Sequence, residues 1–184
     1  MYSPCDANFG PFQDVSELLK QFRKTAMLSP DLESAVLRPE FRMNAYRYLV
    51  KATVTPFRPL LMRLFPLEVA YRKAIWARLI EDDDDDSDFF EGIYHAGYLL
   101  SLCANPSDVE LIWTGHMLNQ DIGELDPGNF VGAGLEQTLS YLDTSSHPDA
   151  PDIACFIRTN FEAFGGEAGM QRWRDRRREW LLEY

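Results

Sequence analysis

The sequence predicts an all-α fold of antiparallel helical hairpins, stacked in a HEAT-like or irregular bundle arrangement. Apolar residues recur at helical spacing almost throughout the chain, and no segment alternates as a half-buried strand does. Prolines and glycines fall between the apolar segments, where they start or stop helices. The hydrophobic content of 46% is ample for a packed core.

In the N-terminal part, serine and proline mark where helices begin. Ser29 before Pro30 predicts an N-cap followed by the first residue of a short helix. Because proline interrupts helices, Pro59 and Pro66 predict two separate pieces where the apolar pattern is continuous. The predicted helices span residues 14–28, 30–37, 40–54, 57–65 and 66–81.

The second half contains the most apolar helix, residues 88–104, which is predicted to be central because it is apolar nearly all round. Gly165-Gly166 predicts a helix C-cap. Gly132 and Gly134 complete no phosphate-binding pattern, so we interpret them as sites of close packing. The remaining predicted helices span residues 108–118, 129–143, 151–164 and 167–184.

Residues 92–118 combine a helix containing small residues, the turn Asn105-Pro106-Ser107 and a second helix that begins Val-Glu-Leu-Ile. This segment resembles a HEAT-type repeat, and residues 130–161 resemble a second, degenerate copy. The resemblance implies an extended surface that binds other macromolecules. We expect one helical domain over 1–184, with basic N-terminal helices in 1–80 and an acidic HEAT-like half in 88–184.

The charges of the chain are segregated along the sequence. Between Leu79 and Ile157 there is no lysine or arginine, but there are 17 Asp and Glu residues. The formal charge is +5 for residues 1–78, −17 for 79–157 and +1 for 158–184, which sums to −11. Such a middle third attracts cations, which include a basic protein, a divalent metal and the chain's own basic N-terminal part, and repels nucleic acid, whose binding needs Lys and Arg. Among external macromolecules we expect a basic protein partner and no nucleic acid.

Three further observations concern location. The three cysteines lie far apart and form no C-x-x-C pattern, which favours a reducing compartment. The first residues lack the basic and apolar regions of a signal peptide, and no apolar run reaches membrane-spanning length. We therefore expect a cytoplasmic protein with no membrane contact, while the pattern leaves the oligomeric state open.

Two acidic segments are candidate partner-binding sites. In the first, consecutive carboxylates point in different directions and form a diffuse anion, which is a solvated loop, a partner attractant or a weak cation site. In the second, a loop over 119–128, acids and glycines form either a contact loop or a cap for the next helix. Trp113, shortly before that loop, is the candidate aromatic anchor. The acids are Asp82, Asp83, Asp84, Asp85 and Asp86 in the first segment, and Asp121, Glu124 and Asp126 in the second.

The sequence contains no nucleophile motif, so no catalytic residue, cofactor or metal is assigned. Glu91 and His95 are four residues apart and share a helix face. With His116 and Asp121 they form the alternative hypothesis, a metal-dependent all-α hydrolase. The C-terminal arginines alternate with Trp173 and Trp180, a pattern that also occurs in nucleic-acid binding, but the acidic middle third favours pairing within the chain.

The segments DVELIW and FVGAGLEQTLSYL, with the small size and acidity of the chain, are similar to small acidic bacterial immunity proteins of polymorphic or secreted toxin systems. The resemblance implies a protein that binds a cognate toxin at fixed stoichiometry and occludes its basic active site with Asp and Glu side chains. Electrostatic steering would give fast capture, and aromatic anchors slow release. A regulatory adaptor is the second alternative.

Overall fold

The computed structural model describes residues 15–80, 88–119 and 124–183, and all regular structure in these ranges is helical, as predicted. Three short 3-10 segments, Thr55–Phe57, Asp88–Glu91 and Pro127–Asn129, accompany the α-helices. In chain order the α-helices are α1 (Val15–Thr25), α2 (Pro30–Ala35), α3 (Pro39–Leu49), α4 (Arg58–Trp76), α5 (Gly92–Leu102), α6 (Asp108–Trp113), α7 (Leu135–Thr144), α8 (Ala150–Asn160) and α9 (Gly166–Glu183).

Helix α5 is the centre of the fold, as its all-round apolar sequence predicts. Nine of its eleven residues are buried, and it packs against α3, α4, α6 and α9. Its first turn follows the 3-10 segment Asp88–Glu91, and Cys103 caps its end. A helix surrounded in this way must be apolar on nearly every side, because only Tyr94 and Leu102 are partly exposed to water.

The prediction that Pro59 and Pro66 divide the chain is wrong, since α4 runs unbroken from Arg58 to Trp76. Pro59 lies in the first turn, where a missing N–H breaks no helical hydrogen bond. Pro66 lies inside the helix but on its exposed side. There the carbonyl that loses its partner can bond to water, and the buried face still packs along α5.

Other helix ends also differ from the prediction. Helix α7 begins at Leu135, because Gly134 adopts a φ of +98° that ends the preceding turn. The interpretation as a close-packing site is confirmed for Gly132, where a Cβ would lie 2.1 Å from the carbonyl oxygen of Ser101, and is wrong for Gly134, where a Cβ would have no neighbour within 4 Å. Helix α6 ends at Trp113, five residues before the predicted end. The Ser29 cap is as predicted, its side chain accepting from Leu32 N at 3.3 Å.

A buried polar cluster joins α3, α4 and α5. The Glu68 carboxylate accepts from Arg42 Nε at 2.6 Å and from the Tyr46 hydroxyl at 2.7 Å. Arg42 and Glu68 are each about 2% exposed, and Arg42 also donates to the carbonyl oxygens of Val36 and Leu37. A side chain at Gly92 would lie 2.5 Å from the Glu68 carboxyl carbon, so the close approach of α5 requires glycine there.

In the second half, α7 and α8 pack together and α6 packs against α8, an arrangement compatible with a helical-repeat-like fold. An ion pair ties this half to α4: Arg58 Nε donates to both oxygens of Asp108, at 2.9 and 3.0 Å, and Asp108 is 3% exposed. None of the described helices is long and apolar enough to cross a bilayer.

Candidate protein-interaction surface

Four aromatic rings form a cluster between α6, α8 and the chain that follows α6. They are Trp113, His116, Phe130 and Phe156, and all six pairs of rings are in contact. His116 stacks on Trp113 with 4.4 Å between ring centroids and lies at the same distance from Phe156. Because Trp113 is only half-buried, its inner side stabilises the fold while its outer side reaches the surface.

His116 also holds the predicted contact loop in place. Its Nδ1 accepts a hydrogen bond from the backbone N–H of Leu125 at 3.1 Å, so the proton of the neutral ring is on Nε2. Burial lowers the pKa of His116 below its usual 6.5, although nearby Glu124 opposes the shift. The ring is therefore neutral at pH 7, as acceptance at Nδ1 requires.

Asp126 is already bonded within the chain. Its Oδ2 accepts from Trp173 Nε1 at 2.8 Å and from Arg177 Nη2 at 2.6 Å, so the loop is tied to α9. The guanidinium of Arg177 lies over the rings of Tyr94 and Trp180, 5.3 and 4.8 Å from their centroids. The Asp126 side chain remains 38% exposed and the Arg177 side chain 17%. The pair lowers the net charge that Asp126 presents to a partner.

The structure thus brings three of the predicted site residues into one region. Trp113 contacts His116, His116 bonds to the loop at Leu125, and the loop carries Glu124 and Asp126. Glu124 is the exposed acid of this group. Asp121 and the acidic run from Asp82 to Asp86 lie outside the described residues.

A second set of acids, which the sequence analysis did not select, lies on the α7–α8 hairpin. The four side chains are exposed, and we call them the acidic face: Glu136, Asp143, Asp149 and Asp152. Two open concavities of about 600 and 420 Å³ lie beside them, the first lined by Glu136 and Ser140 and the second by Asp143 and His147. The spacing of Glu136, Ser140 and Asp143, four and three residues apart, was the available sequence signal for one helix face.

One arginine lies at the edge of the acidic face. Arg158 Nη2 is 3.2 Å from Asp143 Oδ1, with side chains 54% and 63% exposed. An exposed pair of this kind contributes little to stability and is readily exchanged for another partner. The acidic face therefore keeps most of its negative potential.

The proposed metal constellation is not assembled in the described residues. His95 is 2% exposed and contacts Trp180 and Tyr46, with ring centroids 5.0 and 6.4 Å away, whereas His116 belongs to the aromatic cluster. Within the described ranges, no three His, Cys, Asp or Glu side chains are grouped to hold a metal ion. Glu91 lies in the 3-10 segment that precedes α5, the helix that carries His95, and α6 ends before His116.

His95 is instead a buried neutral ring. Burial lowers its pKa to about 3, and the positive charges of Arg177 and Arg47 add to the shift. Its Nδ1 has no hydrogen-bond partner among the described residues. Protonation would place a charge in the core between α3, α5 and α9.

No protein family matches this chain, and neither a curated protein nor a solved structure is significantly similar to it.

Proposed function

We propose that this chain is a stoichiometric protein-binding module whose acidic surface covers a basic region of its partner. We further propose, on the resemblance stated above, that it is an immunity protein of the bacterial cytoplasm and that the partner is a toxin domain. The observation that supports binding is the acidic face on α7–α8, together with exposed Glu124. Of these five carboxylates only Asp143 has an arginine within ion-pair distance, Arg158, so the five acids and this arginine sum to a charge of −4.

Electrostatics gives such a surface a specific role in association. Clustered charges of one sign steer an oppositely charged partner, raise its association rate and lose this effect as salt screens them. Exposed acids on a rigid hairpin also lose little conformational entropy when they pair with the partner's Lys and Arg. The exposed part of Trp113 supplies the apolar contact that slows dissociation.

The partner is found first by affinity capture from lysate of the native host, at low and moderate salt, with bound proteins identified by mass spectrometry. The expected result is one basic protein at equal stoichiometry, released as salt increases. Capture of no basic protein at either salt concentration contradicts the proposal.

The second step measures association with the purified partner by stopped flow. The triple variant Glu136→Lys, Asp149→Lys, Asp152→Lys is expected to slow association at least tenfold, because it reverses the charge of the acidic face. The matched control Glu17→Lys, Glu33→Lys, Glu40→Lys makes the same net change on exposed positions of α1, α2 and α3. An equal effect of both triple variants would show that net charge, and not this surface, drives binding.

The loop is tested separately by Glu124→Lys. We expect a smaller slowing of association, because one exposed acid is reversed while the Asp126–Arg177 pair is kept. If the association rate of this variant is unchanged, the loop is not part of the binding surface. The proposal then depends on the α7–α8 hairpin alone.

A further inference from the structure

A second surface, of the opposite character, lies on α9. Trp173, Arg176, Arg177 and Trp180 are spaced by three, one and three residues, so they occupy one face of the helix. With Asp126 they line an open groove of about 340 Å³, which we call the arginine–tryptophan groove. Aromatic residues and arginine are enriched at protein interfaces, so a groove that combines them is a candidate interaction site.

Most of this groove is held in a fixed geometry. Trp173 is 3% exposed and its indole N–H is bonded to Asp126. Arg177 is bonded to the same carboxylate and lies over two aromatic rings, Tyr94 and Trp180. A ligand that enters the groove therefore meets side chains whose conformational entropy has already been lost on folding.

The charge of the groove is positive. Two arginines and one aspartate line it, and Asp126 is bonded to Arg177, so the net charge of +1 comes from Arg176. Within the part of the chain that the structure describes, no carboxylate lies within 4 Å of Arg176. Elsewhere on α9 the exposed Arg172 and Arg178 are offset by the exposed Asp175 and Glu179, so the groove lining itself carries the positive charge.

We propose that the arginine–tryptophan groove binds an acidic, aromatic-containing peptide segment of a protein partner. A carboxylate of that segment pairs with Arg176, and its aromatic ring packs on the accessible side of Trp180. A peptide fits better than a nucleic acid because the chain carries a net charge of −11. That field repels a long polyanion over its whole length, whereas a short peptide brings only a few charges.

This inference does not depend on the acidic face, which carries charge of the opposite sign on other helices. If both surfaces bind, the chain joins two segments of different chemistry, which is the behaviour of an adaptor. Arg176, whose charge reversal is the main test, belongs neither to the acidic face nor to the loop that carries Glu124, so failure of one surface leaves the test of the other intact.

The test uses a fluorescein-labelled peptide, Glu-Glu-Phe-Glu-Glu, and the full chain at low salt, with binding followed by anisotropy. Arg176→Glu is expected to weaken binding about tenfold, because attraction becomes repulsion at the same position. The control Arg63→Glu makes the same charge change at an exposed position of α4 and is expected to change affinity less than about twofold. A peptide in which Gln replaces each Glu is expected to bind at least about tenfold more weakly.

A second variant is expected to strengthen peptide binding, and by more than nonspecific attraction to the chain predicts. Asp126→Asn removes the competing carboxylate while its amide oxygen still accepts from Trp173, so acidic peptide binding should strengthen about threefold. The proposal is overturned if the unaltered chain does not bind at millimolar peptide, or if Arg176→Glu and Arg63→Glu weaken binding equally. Weaker binding in Asp126→Asn, or tighter binding of an oligothymidylate than of the peptide, overturns it as well.

Discussion

Among the acids of the middle third that the structure describes, some are paired with arginine inside the fold and others are exposed. Asp108 and Asp126 are bonded to arginines from the flanking basic segments, Arg58 from one side and Arg177 from the other. Glu136, Asp149 and Asp152 are exposed, and no basic group of the described residues lies within ion-pair distance of them. Charge segregation along a sequence therefore has two uses: some acids hold the parts of the chain together, and others form the surface.

The largest loss of stability is expected when Asp108, a paired and buried acid, is replaced. Asp108→Ala leaves Arg58 without its buried partner, so we expect a loss of about 3 kcal/mol in the free energy of unfolding. Asp143→Ala, which breaks the exposed pair with Arg158, is the control and should cost less than about 0.5 kcal/mol. Urea unfolding followed by circular dichroism measures both values, and equal losses would show that burial does not separate the two kinds of acid.

The second prediction concerns His95, a buried histidine whose pKa is lowered by burial and by the positive charge of Arg177. A folded-state pKa near 3, below the ordinary 6.5, means that the native state favours the neutral ring. Its contribution to stability is complete above pH 6.5 and is lost as the pH falls from 6.5 towards 3. We expect His95→Gln to flatten this part of the stability profile relative to the unaltered chain, measured by urea unfolding from pH 7 to pH 4.

If the slopes of His95→Gln and the unaltered chain coincide between pH 6.5 and 4, His95 is not held neutral in the fold.

The smallest effect is expected at Asp126, which has features of both kinds of acid. Asp126→Ala removes acceptors from Trp173 and Arg177, but the side chain is 38% exposed, so water replaces part of what is lost. We expect a cost of about 1 kcal/mol, against less than about 0.5 kcal/mol for Glu124→Ala. A shift of the Trp173 indole N–H resonance in Asp126→Ala alone would locate the change at this contact.

The fold class and the central position of α5 were predictable because both depend on apolar periodicity, which is local in the sequence. The continuity of α4 was not, because Pro66 is tolerated only where the neighbouring carbonyl faces water, and packing against α5 decides which side that is. The late start of α7 follows from the φ of +98° at Gly134, a backbone conformation that apolar periodicity does not reveal.

For the candidate site too, local features could be predicted from the sequence, but contacts between distant residues could not. The loop around Glu124 and Asp126 was identifiable from its acids and glycines, and Trp113 from its position before the loop. The partner of Asp126 could not be selected, because five arginines lie within seven residues of α9 and only the packed helix determines that Arg177 reaches the loop. The acidic face was missed because its members are separated in sequence and lie on or at the start of two helices that pack together only in the fold.

The contact between Glu68 and Gly92 has a consequence for how this chain can vary in evolution. A Cβ at position 92 would overlap the Glu68 carboxylate, which accepts hydrogen bonds from Arg42 and Tyr46. Alanine there would therefore displace Glu68, the central residue of this buried polar cluster. A related sequence with a larger residue at 92 is therefore expected to have a smaller or uncharged residue at 68, and with it a neutral residue at 42. Linked changes at these positions would identify distant relatives whose overall similarity is too low to detect.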